Sequence, residues 1–185
     1  MKLAAGQPAK LFATTDITGA PVALADYRGR RTLLSFLRSA ACPLCSLRVH
    51  YLIDRYAYFQ ARGLSIIAVF ETSPETTMKY AGTQHPPFPL IANPANDLYR
   101  LYGIQRSLWG AISGFLVTRR KEWGEAKRLG LGGGMSDGNH TLMPADFLIG
   151  PDLIIERAHY GRDIGDHLPL GVIEHYLDVP LAVAG

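Results

Sequence analysis

Residues 39–45 read Ser39-Ala40-Ala41-Cys42-Pro43-Leu44-Cys45, and this stretch holds both cysteines of a 185-residue chain. What flanks it decides how it folds. Upstream, Thr32-Leu33-Leu34-Ser35-Phe36-Leu37 is a short apolar run of the kind shown by a strand buried on both faces. Downstream, Pro43 suits a first helical turn, where its missing N–H would have no intrahelical partner. Leu47, Tyr51, Leu52, Tyr58 and Phe59 continue at helical spacing as far as Arg62-Gly63. The cysteine pair therefore sits where a strand turns into a helix.

The same rhythm extends along the chain. Leu64-Ser65-Ile66-Ile67-Ala68-Val69-Phe70 reads as a second buried strand, and Ser73-Pro74-Glu75-Thr76 opens a helix with Ser73 as cap. A short strand follows in Pro87-Phe88-Pro89-Leu90-Ile91-Ala92, then a helix over 94–102 stopped by Gly103. Residues 143–149 and 153–160 are extended runs joined by Gly150-Pro151-Asp152, and 170–177 reads as a last helix. Near the N-terminus, Ile17-Thr18-Gly19-Ala20 links two short extended runs as a hairpin turn. Strands alternating with helices, with hairpins near both ends, predict an α/β architecture around a central mixed β-sheet. At this length one domain over 1–185 is expected, with an insertion at about 104–140.

Composition narrows the function. Apolar residues make up 48% of the chain and charged residues 19%, a globular balance rather than a disordered one. The net charge of +3 is too slight to imply a nucleic-acid partner. The N-terminal Met1-Lys2-Leu3-Ala4-Ala5-Gly6 lacks the apolar core of a secretory signal, and no run is long enough to span a bilayer, so a cytoplasmic location is expected. In a reducing compartment, a close cysteine pair is more often catalytic, redox-sensing or metal-binding than a structural staple.

The chemistry of the pair follows from its position. A thiolate is the reactive form of cysteine, and unpaired N–H groups with the helix dipole favour negative charge at a helix N-terminus. Two intervening residues let both sulfurs meet across the first turn, so that one attacks and the other resolves the product. Arg38, four residues before Cys42, adds positive charge. A structural zinc site normally takes four ligands, and the chain offers no second CxxC or HxxxH spacing to complete one. Two buried, inert cysteines are the remaining alternative.

Leu33-Leu34-Ser35-Phe36-Leu37-Arg38-Ser39-Ala40-Ala41-Cys42-Pro43-Leu44-Cys45, preceded by Ala5-Gly6-Gln7-Pro8-Ala9 and Leu24-Ala25-Asp26-Tyr27-Arg28-Gly29, resembles the AhpC/TSA group, the peroxiredoxins and their relatives. Met143-Pro144-Ala145-Asp146-Phe147-Leu148-Ile149-Gly150-Pro151-Asp152 is similar to the later segment of thiol-disulfide members of that superfamily. The resemblance covers most of residues 5–162. It implies a thioredoxin-like, glutaredoxin-type fold and a peroxiredoxin-like thiol oxidoreductase of the CxxC-containing subgroup that cycles the pair to reduce peroxides, with thiol-disulfide exchange as the alternative. Its substrate would be a peroxide or a disulfide, its reductant a thioredoxin- or glutathione-type donor, with no metal or organic cofactor.

Laid on the peroxiredoxin motif of proline, three residues, threonine, two residues and cysteine, Cys45 takes the place of the peroxide-attacking cysteine. Cys42 then stands where the threonine belongs and Arg38 where the proline belongs. Pro144 occupies about the place of a later active-site arginine. In the thioredoxin arrangement, by contrast, a CxxC pair faces a cis-proline. Met143-Pro144 then becomes the candidate cis bond, Cys42 attacks and Cys45 resolves. The resemblance leaves the nucleophile open, and a non-catalytic redox-sensing or binding module stands as the alternative to an enzyme. Arg38, Pro43, Met143 and Pro144 are expected to shape the pocket.

Other features read more plainly. Glu71 ends a presumed strand, where it could accept a proton near the thiols, although loop carboxylates are mostly solvated. The six histidines show no ligand spacing and read as structural or surface residues. Gly130-Leu131-Gly132-Gly133-Gly134 follows a basic helix-like segment rather than a strand, which favours a mobile surface loop able to gate the site over a nucleotide cradle. Residues 108–117, with Arg119-Arg120-Lys121 after them, are expected first to pack on the core, next to form a homodimer face, and last to touch a membrane surface.

Overall fold

A computed structural model describes residues 1–109, 119–134, 137–138 and 141–178. The expected hairpin is present: β1 (Ala13–Thr15) pairs antiparallel with β2 (Pro21–Ala23). Its turn is held by Asp16 Oδ1, which accepts from the N–H groups of Thr18 (2.8 Å) and Ala20 (3.0 Å), and Gly19 supplies a φ of +88° that other residues resist. This hairpin forms its own two-stranded sheet.

The main sheet has five strands in the order β5 (Leu90–Ala92), β4 (Leu64–Phe70), β3 (Arg31–Phe36), β6 (Ala145–Ile149) and β7 (Ile155–Tyr160). β3 runs parallel to β4 and antiparallel to β6, so the sheet is mixed, with β3 at its centre. All six β3 residues are buried, which is why its sequence lacks the apolar-polar alternation of a one-sided strand. Gly150 and the turn after it join β6 to β7, with Asp152 Oδ1 accepting from Ile154 N–H at 3.0 Å.

Helices cover both faces. On one, α1 (Pro43–Asp54), α2 (Tyr56–Ala61) and α6 (Leu170–Asp178) pack over Leu33, Leu37, Ile66, Ala68 and Leu148. On the other, the hairpin and α4 (Asp97–Leu101) cover Leu34, Phe36, Ile67, Val69 and Phe147. α3 (Pro74–Tyr80) begins as its sequence predicts, with Ser73 Oγ accepting from Thr76 N–H at 3.2 Å. α5 (Arg120–Arg128), the basic helix-like segment of the insertion, lies along α1.

Three expectations change. The single helix after Cys42 is interrupted at Arg55 (φ −97°, ψ −1°), which divides it into α1 and α2. The helix expected from 94 starts at Asp97, because Asn96 adopts a left-handed φ of 59° that asparagine tolerates. Core packing does not hold for the start of the apolar insertion: Leu108 and Trp109 are 70% and 80% exposed, and residues 110–117 lie outside the described residues. The ends of the insertion are stitched together, since Ser107 N–H donates to Thr141 O and Met143 N–H to Gln105 O. Among the described residues, no helix is long and apolar enough to cross a membrane.

Candidate active site

β3 leads through Leu37 to Ala41 into α1, and this connection sets the two cysteines in different surroundings. Cys42 caps the helix with an extended backbone (φ −74°, ψ 123°), and Pro43 opens it as the sequence predicts. Cys42 is partly exposed and Cys45 is fully buried in the core cluster of Leu37, Ala40 and Val49. The turn is braced by Ser46 Oγ, which donates to Ala40 O at 2.9 Å, and by Ser39 Oγ, which accepts from Ala41 N–H at 3.1 Å.

The electrostatics are correspondingly uneven. A hydrogen bond from the Cys45 thiol lowers the Cys42 pKa to about 6 against the opposing effect of burial. The Arg38 guanidinium, with Nη1 3.8 Å from Cys42 Sγ, and the N–H groups of Cys45 and Leu44 at the helix N-terminus act in the same direction. The same thiol-thiol hydrogen bond, together with burial, holds Cys45 well above the usual thiol range. The pair thus offers one accessible thiolate at neutral pH and one sheltered thiol beside it.

The structure brings most of the expected pocket residues together. Arg38 is buried against Cys42. Met143 forms a small buried cluster with Leu44 and Ile164, against which Cys42 and Trp123 pack. Pro144 departs from expectation. Among the described residues no peptide bond is cis, so the Met143-Pro144 bond is trans, the ordinary preference of X-Pro. Pro144 O accepts from Gly161 N–H at 2.8 Å, extending the β6 and β7 pairing by one residue. Its neighbour Met143 is the residue that reaches the Cys42 cluster.

The glycine-rich loop also departs from its reading as a mobile surface loop. Gly133 N–H donates to Ala41 O at 3.0 Å, so this part of the loop is seated on the cysteine turn. Gly132 has φ +66°, and a Cβ there would come within 2.7 Å of Pro43 N, so only glycine fits. Further on, Asp137 Oδ2 accepts from Ser73 N–H at 3.2 Å at the start of α3. Residues 135–136 and 139–140 lie outside the described residues.

Glu71 is not solvated as a loop acid would be. It is 3% exposed, accepts from Asn96 Nδ2 at 3.0 Å and lies 3.9 Å from Arg106 Nη2. Trp123 had no sequence signal, because it sits on a helix whose other residues are mostly charged. A buried polar group made of Ser35, Arg48, Asp146 and His167 was equally illegible. His50 pairs with Asp54 on the outer side of α1 at 3.5 Å, and His159 Nε2 lies 3.3 Å from Asp166.

A mixed sheet between helix layers, with a CxxC pair opening a helix at the end of its central strand, defines a thioredoxin-like protein. A family model of the AhpC/TSA family matches residues 5–158, and the chain belongs to that family. It is 30% identical over 102 residues to a Mycobacterium tuberculosis protein proposed to be a peroxiredoxin, covering 55% of this chain and 65% of that one. It is 28% identical over 103 residues to the thiol-disulfide oxidoreductase ResA of Geobacillus thermodenitrificans, covering 55% and 59%. The chain thus spans less than two thirds of the length of these curated relatives.

Among solved structures, it resembles the peroxidoxin BcpB of Mycobacterium tuberculosis with a TM-score of 0.67 at 15% identity, over 95% of each chain. A structure from Chlorobium tepidum, proposed to be a thiol:disulfide interchange protein, gives 0.60 at 22% identity, over 85% of this chain and 86% of that one. At these identities the likeness establishes the fold.

Proposed function

We propose that the protein is a thiol-dependent oxidoreductase in which Cys42 is the nucleophile and Cys45 the resolving thiol. The observation that carries this reading is the asymmetry of the pair: an accessible thiol lowered to about 6 beside a fully buried one held high. Cys45 occupies the peroxiredoxin nucleophile's place in the sequence motif, but burial keeps it from a substrate and keeps it protonated. A thiolate at Cys42 attacks a substrate disulfide and forms a mixed disulfide. Cys45 then attacks Cys42 Sγ, releasing the second substrate thiol and closing the Cys42–Cys45 disulfide. One thioredoxin-type dithiol, or two glutathione-type monothiols, restores the reduced pair, in keeping with the cytoplasmic location expected from the sequence. Arg38 holds the Cys42 thiolate, and Pro43 and Met143 shape its surroundings. Pro144 acts through the backbone position it gives Met143.

Peroxide is the second reading, and Arg38 beside the thiolate favours it. A cation at that point can stabilise charge as the thiolate breaks an O–O bond, giving a Cys42 sulfenic acid and an alcohol or water. Cys45 would then condense with it to the same disulfide, releasing water.

The test reacts reduced wild type, Cys42→Ser and Cys45→Ser with a small disulfide and, separately, with hydrogen peroxide, and locates products by mass spectrometry. A mixed disulfide trapped at Cys42 in Cys45→Ser, with Cys42→Ser inert, is expected. Reaction that persists in Cys42→Ser and vanishes in Cys45→Ser would overturn the assignment. Thiol loss with peroxide no faster than that of a free thiol would leave disulfide exchange as the activity.

A further inference from the structure

Six residues beyond Cys42, α1 turns a charged side chain inward. The Arg48 side chain is 7% exposed, and its Nη2 lies 3.8 Å from Asp146 Oδ2, too far for a hydrogen bond. Among the described residues, neither Nε nor Nη2 of Arg48 has a hydrogen-bond partner. Asp146 has nearer hydrogen-bonding partners. Its carboxylate accepts from His167 Nδ1 (3.0 Å), Ser35 Oγ (2.6 Å) and Leu168 N–H (2.6 Å), and the contacts with His167 and Ser35, together with the nearby Arg48 charge, hold it ionised against complete burial. A histidine that donates through Nδ1 presents the lone pair of Nε2, and Nε2 of His167 is buried without a partner among the described residues.

The residues that carry these groups line one pocket. Arg48 and His167 line a space of about 210 Å³ walled by Leu44, Leu47, Leu168 and Leu170. That is below the roughly 300–1,000 Å³ of whole-ligand sites, so the space suits one end of a molecule. Glu122 and Arg119 also line it, but these two pair with each other at 3.3 Å, and Arg119 further engages Asp163 and Asp166. Among the described residues of the pocket, Arg48 is therefore the cation with donors to spare. Nε–H and one Nη2–H point the same way along one edge of the guanidinium, the two-pronged geometry that matches a carboxylate. Buried donors left unmade are costly, and a ligand carboxylate would satisfy both. Leu44 is a wall of this pocket and a member of the cluster against which Cys42 packs.

We infer that this pocket binds the carboxylate end of a small disulfide acid, with the carboxylate on the Nε and Nη2 edge of Arg48 and a neighbouring N–H or O–H of the ligand on His167 Nε2. The inference rests on the reading of Cys42 as nucleophile, since it places the substrate sulfur on the far side of Leu44, toward Cys42. The Cys42 thiolate attacks one sulfur of the bound R–S–S–R. That S–S bond breaks, RS⁻ leaves and is protonated by water, and Cys42 holds the other RS group. Cys45 gives its proton to water, attacks Cys42 Sγ and expels the second RS⁻, so the protein loses two electrons and two thiols are formed.

Two arms test this independently. In the first, single-turnover rates of reduced protein with dithiodipropionic acid are divided by those with its uncharged diamide. The expected ratio in the wild type is about 10- to 100-fold, the range of a charge-assisted hydrogen bond. It should fall toward one in Arg48→Gln and to an intermediate value in Arg48→Lys, which keeps the charge but not the fork. In the second, oxidised protein, which cannot exchange with a sulfur-free acid, is titrated with butyrate or butyramide while the Arg48 Nε–H resonance is followed by NMR. A saturable shift with butyrate alone is expected.

Equal rates for acid and diamide, or equal shifts with butyrate and butyramide, would overturn the pocket and leave the exchange reading standing. If neither disulfide reacts, the exchange reading falls and the butyrate titration still decides the pocket. Arg48→Lys serves where Arg48→Gln does not fold.

Discussion

The two faces of the five-stranded sheet bury side chains of opposite character. Behind the face covered by the hairpin and α4, Phe36, Tyr99, Tyr102, Phe147 and Tyr160 stack at centroid separations of 5.0–6.0 Å. Each tyrosine hydroxyl finds a backbone carbonyl: Tyr99 donates to Leu37 O at 2.5 Å, Tyr102 to Lys10 O at 2.8 Å and Tyr160 to Tyr102 O at 2.7 Å. The face under α1 instead holds the cysteine pair, Arg48, Asp146 and His167, with Arg48 and His167 nitrogens that have no partner among the described residues. One face gains stability from its packed aromatic rings. The other carries the cysteine pair and the buried cluster of Arg48, Asp146 and His167.

The sharpest way to break this comparison is to damage the aromatic face alone. Phe147→Ala should cost about 3–5 kcal/mol in denaturant unfolding. The Cys42 alkylation rate of the protein that remains folded should not change; a parallel loss of reactivity would mean the faces are not separable.

On the other face, Asp146→Asn should cost about 3 kcal/mol at neutral pH, because it leaves Arg48 buried without its counter-charge. Asp146 has a folded pKa well below the usual carboxylate range, so its contribution is complete above about pH 4 and is lost as the pH falls further. The deficit of the variant should therefore shrink in acid. A deficit independent of pH would show that the carboxylate's charge is not what the cluster uses.

A smaller effect distinguishes two glycines of one loop. Gly130 and Gly132 have nearly the same φ, +67° and +66°, but a Cβ at Gly130 meets nothing within 4 Å. Gly130→Ala should cost only the left-handed penalty of about 1 kcal/mol. Gly132→Ala should cost more and speed alkylation of Cys42 by lifting the loop off Pro43. Equal effects would mean that the contact with the cysteine turn contributes nothing.

The elements around Cys42 could be read from the chain because local patterns set them. The apolar run of β3, Pro43 at the helix start and the Ser73 cap each carry their own signal over a few residues. The polar cluster carried none. Arg48 looks like one more charged residue on an amphipathic helix, and Asp146 like an irregularity in an apolar strand. Only the antiparallel register that sets Ser35 opposite Asp146, together with the chain returning at His167, brings them together. Glu71 was misjudged for a related reason: its partner Asn96 reaches it from a left-handed turn 25 residues away. The trans Met143-Pro144 bond shows the opposite failing, since a family pattern suggested a geometry that this chain does not adopt.

The account stands on Cys42 being the activated thiol. The direct measurement is the pH dependence of iodoacetamide alkylation of the reduced protein, with each labelled cysteine identified by mass spectrometry. The account predicts that Cys42 is labelled first, with a midpoint at pH about 6, and that Cys45 stays unlabelled throughout the neutral range. Labelling of Cys45 ahead of Cys42, or a Cys42 midpoint near the free-thiol value of about 8.5, would contradict it.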